Sequence, residues 1–283
     1  MDKYEFIREI GTGTFSKVSL VRDLEKGGLF ACKESENKDL LKKEAEIYKR
    51  IDHPLFAGFK EYLEEDEKGY LFLQYVPGTD LYQVTDKRES LNFGVAVKIA
   101  LEVADGIRYL NTCNPPVIYR DLKPENIIVC ENGHVKMVDL GSCIWEEDDN
   151  SVSGSKSFSA PELFIDNEEP TAASDVYSLA KLLYYMLSGS TDESMCMYLQ
   201  GGSRGVMSLL KDCLVKEPKK RIPTADMFIK RLAPYHGAEG IRFLLAELKA
   251  KKYEKKHEFE EYTSYVAIYG DNQELTKRKG DKA

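Results

Sequence analysis

Tyr119-Arg120-Asp121-Leu122-Lys123-Pro124-Glu125-Asn126 is the stretch that decides how this chain is read. It places an acid, a cation and a carboxamide within six residues, from Asp121 to Asn126, between two short apolar runs at 117–119 and 127–129. Asp121 is suited to accepting a proton from a hydroxyl, and Lys123 to neutralising an anionic group. Asn126 offers a hard oxygen to a cation. Asp139-Leu140-Gly141 follows a further apolar run at 135–138. An Asp just past a strand with Gly behind it suits an oxygen-rich cation site, although three such residues also make an ordinary turn.

Working upstream, Gly11-Thr12-Gly13-Thr14-Phe15-Ser16 lies between strand-like runs at 4–10 and 17–21. Glycines let backbone N–H groups close over phosphates. Alone, the stretch reads equally as a hairpin turn. A dinucleotide fingerprint needs a helix next, and here a strand follows. Lys33 ends the next strand-like run, 29–33. Residues 38–51 then take a helical period, with Leu40, Leu41, Ile47, Tyr48 and Ile51 on one face and Asn37 as N-cap. Glu44 shares that face, and a carboxylate on a buried face needs a cation, for which Lys33 is the candidate. A snorkelling Glu at the stripe edge is the competing reading. A strand at 70–75 is ended by Val76-Pro77-Gly78. From about residue 92 the pattern is mainly helical, and Ser174 opens a helix with Val176, Leu179, Leu183 and Leu187 inward. Asn132-Gly133 predicts a hairpin between 127–129 and 135–138.

Length and composition set the frame. With 283 residues, the chain holds two small domains or one large bilobal one, at roughly 150 residues per domain. Hydrophobic residues at 42% and charged residues at 31% describe a soluble globular protein. A net charge of −8 counts against a nucleic-acid binder. Six cysteines without a C-x-x-C or a neighbouring His suggest unpaired thiols in a reducing compartment. The polar start and the lack of a long apolar run suggest a cytoplasmic chain without a membrane span. Crowded lysines among glutamates near residues 249–256 read as a solvated helix face, and the last dozen residues as disordered.

The ordered set resembles the eukaryotic-type protein kinase superfamily over residues 4–232: glycine-rich loop, strand lysine, helix glutamate, catalytic loop, D-x-G and Ala160-Pro161-Glu162. The run from Asn114 to Asp121 most resembles stand-alone bacterial Ser/Thr protein kinases. The resemblance implies an α+β bilobal fold, a small antiparallel β-sheet lobe with one helix (1–76), a larger mainly helical lobe (77–235), and a charged tail at 236–283. It implies ATP and Mg²⁺ or Mn²⁺ as cofactors and a protein substrate. Gly11, Thr12, Gly13 and Ser16 would cover the phosphates, and Lys33, steadied by Glu44, would hold them. Asn126 and Asp139 would bind metal, Asp121 would take the substrate's proton, and Lys123 would offset charge on the transferred group. Val18, Ala31 and Ile128 would sandwich adenine, with Leu73 behind it, the backbone of Gln74 and Val76 bonded to it, and Asp80 at the ribose.

Lys123, two residues after Asp121, and Ser155, in the place of the family's threonine, favour Ser/Thr over Tyr substrates. Glu162 would pair with Arg221, and Asp175 would brace the catalytic loop. Arg120 would await a phosphoserine, with autophosphorylation expected at Ser151 or Ser153; the acidic run 146–149 standing in for it, or an ordinary mobile loop, are the alternatives. Cys143 is either a reactive thiol beside the site or a buried inert one.

Four features depart from the pattern. Ser16 replaces the third glycine, Tyr119 the usual His, and Leu140 the Phe of D-F-G. The spacing of eleven residues from Lys33 to Glu44 is short, which implies a clipped loop before the helix and a possible regulatory partner there to fix it. None removes a chemical group, so an ATP-binding pseudokinase scaffold is not favoured. A kinase-like small-molecule phosphotransferase would lack the Ala-Pro-Glu segment and its arginine.

Overall fold

The computed structural model describes residues 2–13, 16–86, 90–145, 155–165, 167–192 and 203–237. The first lobe is a five-stranded antiparallel sheet of β1 (Tyr4–Thr12), β2 (Lys17–Asp23), β3 (Leu29–Ser35), β4 (Phe59–Glu65) and β5 (Lys68–Gln74), in the order β1-β2-β3-β5-β4. One helix, α1 (Lys38–Arg50), crosses it, packing on β4 and β5. Asn37 caps α1, its side chain accepting from the Leu40 N–H.

The strand β4 had no period of two to betray it. A β-bulge between Phe59 and Glu61 shifts its register and breaks the alternation. The stripe on α1 also needs one correction. Leu41, Glu44, Ala45, Ile47 and Tyr48 are buried, but Leu40 is 54% exposed. Helical side chains lean toward the N-terminus, so a first-turn residue at the stripe edge projects off the helix end into solvent.

The second lobe begins at β6 (Thr79–Asp80) and α2 (Leu81–Asp86). Helices α3 (Phe93–Asn111), α4 (Ala172–Ser188), α5 (Arg204–Cys213) and α6 (Ala225–Leu232) enclose its core. Val176, Leu179 and Leu183 are fully buried on α4, whereas Leu187 is only half-buried. The functional segments hang on short strands, β7 (Val117–Ile118), β8 (Ile127–Val129), β9 (Val135–Met137) and β10 (Ile144–Trp145). β8 lies between β6 and β9, and β10 pairs with β7. The hairpin joining β8 to β9 turns at Gly133, whose φ of 75° favours glycine. Gly78 is fixed by close approach: a Cβ there would lie 2.4 Å from the Val129 carbonyl oxygen and 2.6 Å from Ile128 Cγ2.

Among the described residues no helix is long and apolar enough to cross a membrane. Cys32, Cys113, Cys130, Cys143 and Cys213 are free thiols. Residues 238–283 of the tail and Cys196 lie outside the described residues.

A buried ion pair ties the segment after Ala160-Pro161 to the helical base. Arg221 Nη1 donates to Glu162 Oε1 at 2.7 Å and Nη2 to Oε2 at 3.1 Å, with both side chains almost wholly buried. Burial acts to raise the Glu162 carboxyl, but Arg221 and Ser174 outweigh it and hold the group below its ordinary value. The Glu162 contribution is therefore present above the unfolded value and lost as pH falls through the lower folded one. Arg221→Met should destabilise the chain by roughly 3–5 kcal/mol by stranding the carboxylate. Adding Glu162→Gln should recover part of that loss, as read by urea denaturation at neutral pH.

Candidate active site

The face of the first sheet that meets the second lobe carries the nucleotide-side candidates. Strand register aligns Val18 with Lys33, and Leu20 with Ala31 and Leu73, so Val18, Ala31, Lys33 and Leu73 share one face. Val18, Ala31, Val76 and Ile128 are half-buried, and Leu73 is buried. Gln74 donates its N–H to Gly58 O at 2.8 Å, so it can offer a ligand only its carbonyl. Asp80 accepts from Gln83 N at 2.8 Å and from Gln83 Nε2 at 2.5 Å, so it also anchors the first turn of α2. In the glycine-rich turn Gly11 pairs with Val18 and Thr12 with Lys17, and Gly13 N–H donates to Ser16 O at 2.8 Å. Thr14 and Phe15 lie outside the described residues.

Lys33 Nζ donates to Glu44 Oε2 at 2.7 Å and to Asp139 Oδ1 at 2.8 Å. Burial acts to lower the Lys33 ammonium, but the two carboxylates outweigh it and hold it above its ordinary value. Burial raises the Glu44 carboxyl, and Lys33 offsets that only in part. Burial also acts to raise Asp139, but Lys33 outweighs it and the carboxyl lies low. The competing surface reading of Glu44 fails, since the residue is 3% exposed. The short β3–α1 connection, only Glu36 and Asn37, closes this pair within the single chain.

Around Asp121 the donors are fixed. Ser155 Oγ donates to Asp121 Oδ1 at 2.7 Å, and Lys123 Nζ to Oδ2 at 2.6 Å. Lys123 also reaches Ser155 Oγ at 3.2 Å. Asn126 Nδ2 donates to Asp121 O at 3.0 Å, which leaves Asn126 Oδ1 as its atom for a cation. Asp175, fully buried, accepts from Tyr119 N and Arg120 N at 3.0 Å each and braces the loop from α4. Arg120 is buried, and its Nε donates to Ser142 O at 2.7 Å. Ser151, Ser153 and the acidic run at 146–149 lie outside the described residues.

Several contacts had no signal in the sequence. Tyr48 Oη accepts from Asp139 N at 3.1 Å, and Tyr119 Oη donates to Asp139 O at 3.1 Å. Glu44 Oε1 accepts from Leu140 N at 3.2 Å. Asp139 and Arg120 are themselves in the left-handed region, with φ of 74° and 68°. Cys143 is buried and its thiol is pushed well above the ordinary value by that burial, so the inert reading stands.

The donor set fits a hard divalent cation. Asp139 and Asn126 supply oxygens, and among the described residues no group of three His, Cys, Asp or Glu side chains forms a self-sufficient cage. A cation bound here would take its other ligands from phosphate and water, as Mg²⁺ commonly does.

The model of the protein kinase domain matches residues 4–232, and the chain belongs to that family. It is 31% identical over 255 residues to human serine/threonine-protein kinase Sgk2, covering 80% of this chain and 68% of that protein. It is 31% identical over 244 residues to the cAMP-dependent protein kinase catalytic subunit of Dictyostelium discoideum (80% and 37%). It is 29% identical over 265 residues to Protein kinase 3 of the same organism (81% and 29%). The chain thus spans between 29% and 68% of the length of these relatives.

Removing the Lys33 ammonium from between Glu44 and Asp139 should be felt in stability. Lys33→Met leaves two carboxylates without their partner and should cost roughly 3–5 kcal/mol. With Lys33 gone, the folded Glu44 binds its proton more tightly than the unfolded chain does, so stability falls as pH rises. Urea denaturation should therefore show a smaller deficit at pH 5 than at pH 8.

Proposed function

We propose that the chain is a Ser/Thr protein kinase that transfers the γ-phosphoryl group of ATP to protein hydroxyls. The observation that carries this is the Asp121–Lys123–Ser155 cluster, in which both carboxylate oxygens are oriented by fixed donors. The substrate hydroxyl oxygen attacks the γ-phosphorus as the bond to the β–γ bridging oxygen breaks. Its proton passes to Asp121, and ADP leaves. Lys123 lies beside Asp121, where negative charge gathers on the group in transfer. Lys33 holds the remaining phosphates, its ammonium kept charged by Glu44. The half-buried Val18, Ala31 and Ile128 enclose adenine, and the turn from Gly11 through Thr12 and Gly13 to Ser16 covers the phosphates. Asn126 and Asp139 would hold a divalent ion, which would supply the charge neutralisation for the polyphosphate that two lysines facing three carboxylates do not. The rest of the rate enhancement is positioning and preorganised electrostatics.

A protein substrate is supported by the intact Glu162–Arg221 anchor, which holds the segment bearing Ser155 against the helical lobe. A small-molecule phosphotransferase has no need of that segment. A pseudokinase is disfavoured because the sequence keeps Lys33, Asp121, Asn126 and Asp139.

Asp121→Asn should lower phosphate transfer to a generic basic protein by about 10³-fold while nucleotide affinity stays within about 3-fold. Retained transfer overturns the assignment of Asp121, and transfer to aminoglycosides but to no protein overturns the substrate class. Autophosphorylation at Ser151 or Ser153 belongs to the same proposal. Mass spectrometry after incubation with MgATP should find added phosphate between residues 142 and 159.

A further inference from the structure

The helix α1 touches the segment 139–145 at three levels. Glu44 and Tyr48 accept the N–H groups of Leu140 and Asp139. The third contact is at the last helical residue, where the Arg50 guanidinium lies 4.9 Å from the Trp145 ring centroid. Among the described residues the indole is the group Arg50 meets outside its own helix, while on α1 its charge also acts on the Glu46 carboxylate one turn earlier. Trp145 is the chain's single tryptophan, half-buried against the main core. It pairs with Val117 in β7, and Ile144 pairs with Ile118. β7 leads directly into Tyr119, Arg120 and Asp121.

We propose that Arg50 and Trp145 form a positioning pair that sets α1, and with it Glu44 and Lys33, relative to the loop carrying Asp121. Six residues separate Glu44 from Arg50, a lever of about 9 Å along the helix axis. The N-terminal end of α1 is tethered to β3 by two residues and capped by Asn37. A tilt about that end moves Arg50 most, and the indole resists that movement. Trp is the strongest cation–π partner, and here the half-buried indole is held by the core while the Arg50 guanidinium stays exposed. Through the β10–β7 ladder the same indole is fixed to the strand preceding Asp121. The pair thus joins the half of the site that holds phosphates to the half that takes the proton. Neither residue touches a reacting atom, and both act through Glu44 and Asp121.

The functional consequence rests on the kinase reading, but the structural claim is testable apart from it. In the wild-type chain the amides of Asp139 and Leu140 are bonded to α1, so their hydrogen exchange reports the helix position. Arg50→Gln should speed exchange at these amides by about 3- to 10-fold, and Arg50→Lys should restore most of the protection. Trp145→Phe should sit between wild type and Trp145→Leu. The double variant Arg50→Gln/Trp145→Leu should be no worse than the worse single one. The fluorescence of Trp145 should change on Arg50→Gln. In the transfer assay kcat should fall about 3- to 10-fold, with KM for the protein substrate within about 2-fold.

Unchanged exchange or unchanged emission in Arg50→Gln overturns the pair. So do fully multiplicative effects in the double variant, or faster exchange spread evenly over the chain with a lowered Tm. A wild-type chain that transfers no phosphate overturns the kinase reading alone, because the exchange and emission measurements still decide the pair.

Discussion

The half of the site where the two lobes meet is organised about one ammonium group. Lys33 places a single positive charge between carboxylates that come from different elements, Glu44 on α1 and Asp139 beyond β9. Burying the Lys33 or the Glu44 charge alone would cost several kcal/mol, and Asp139, whose side chain is 43% exposed, joins them from the solvent side. A strand, a helix and a loop from two lobes therefore share one constraint. The raised Glu44 carboxyl shows that burial is not fully repaid there. Two carboxylates on one ammonium also leave the cluster net negative. That excess is a reason for the family's use of a divalent cation when the ligand is a polyphosphate.

Backbone strain is kept in the same neighbourhood, at two residues whose surroundings fix them from several sides. Arg120 and Asp139 are non-glycine residues at positive φ, a conformation that costs about 1–3 kcal/mol each and persists only where surroundings over-determine it. Around Arg120, Asp175 fixes the peptide N–H, Ser159 Oγ bonds the carbonyl and Ser142 O holds the side chain. Around Asp139, Tyr48 takes the N–H, Tyr119 bonds the carbonyl and Lys33 binds the carboxylate. The tyrosine standing in place of a histidine is thus accommodated by chemistry, since its hydroxyl donates where an imidazole N–H otherwise could.

Much of this was readable from the chain. Glycine-rich turn, strand lysine, helix glutamate, catalytic loop and D-x-G appear in order, and local periodicity located β1–β3, α1, β5 and α4. The legible parts are those whose chemistry is written in a few adjacent residues. β4 was missed because its bulge erases the period of two, and Leu40 was misplaced because a period says nothing about helix ends. The roles of Tyr48, Tyr119 Oη and Trp145 depend on pairings between residues up to ninety-five positions apart, from Arg50 to Trp145, which no local pattern encodes. The positive φ at Arg120 and Asp139 was equally invisible, since Arg does not favour it and Asp, although enriched there, adopts it in only a small fraction of cases.

The short spacing from Lys33 to Glu44 takes a definite form in the fold. From the sequence it implied a clipped loop before the helix, with a regulatory partner there to fix it. In the structure the two-residue connection and the Asn37 cap hold the helix start, and the Lys33–Glu44 pair is closed by the chain itself. A helix pinned at one end can still pivot, and its amplitude grows with distance from the pin. Glu44 lies near the middle and Arg50 at the free end, so a weak contact at Arg50 has more leverage over the helix than an equal one in the first turn. A clipped connection therefore moves the point of control away from the start of α1, toward the place where it meets β10.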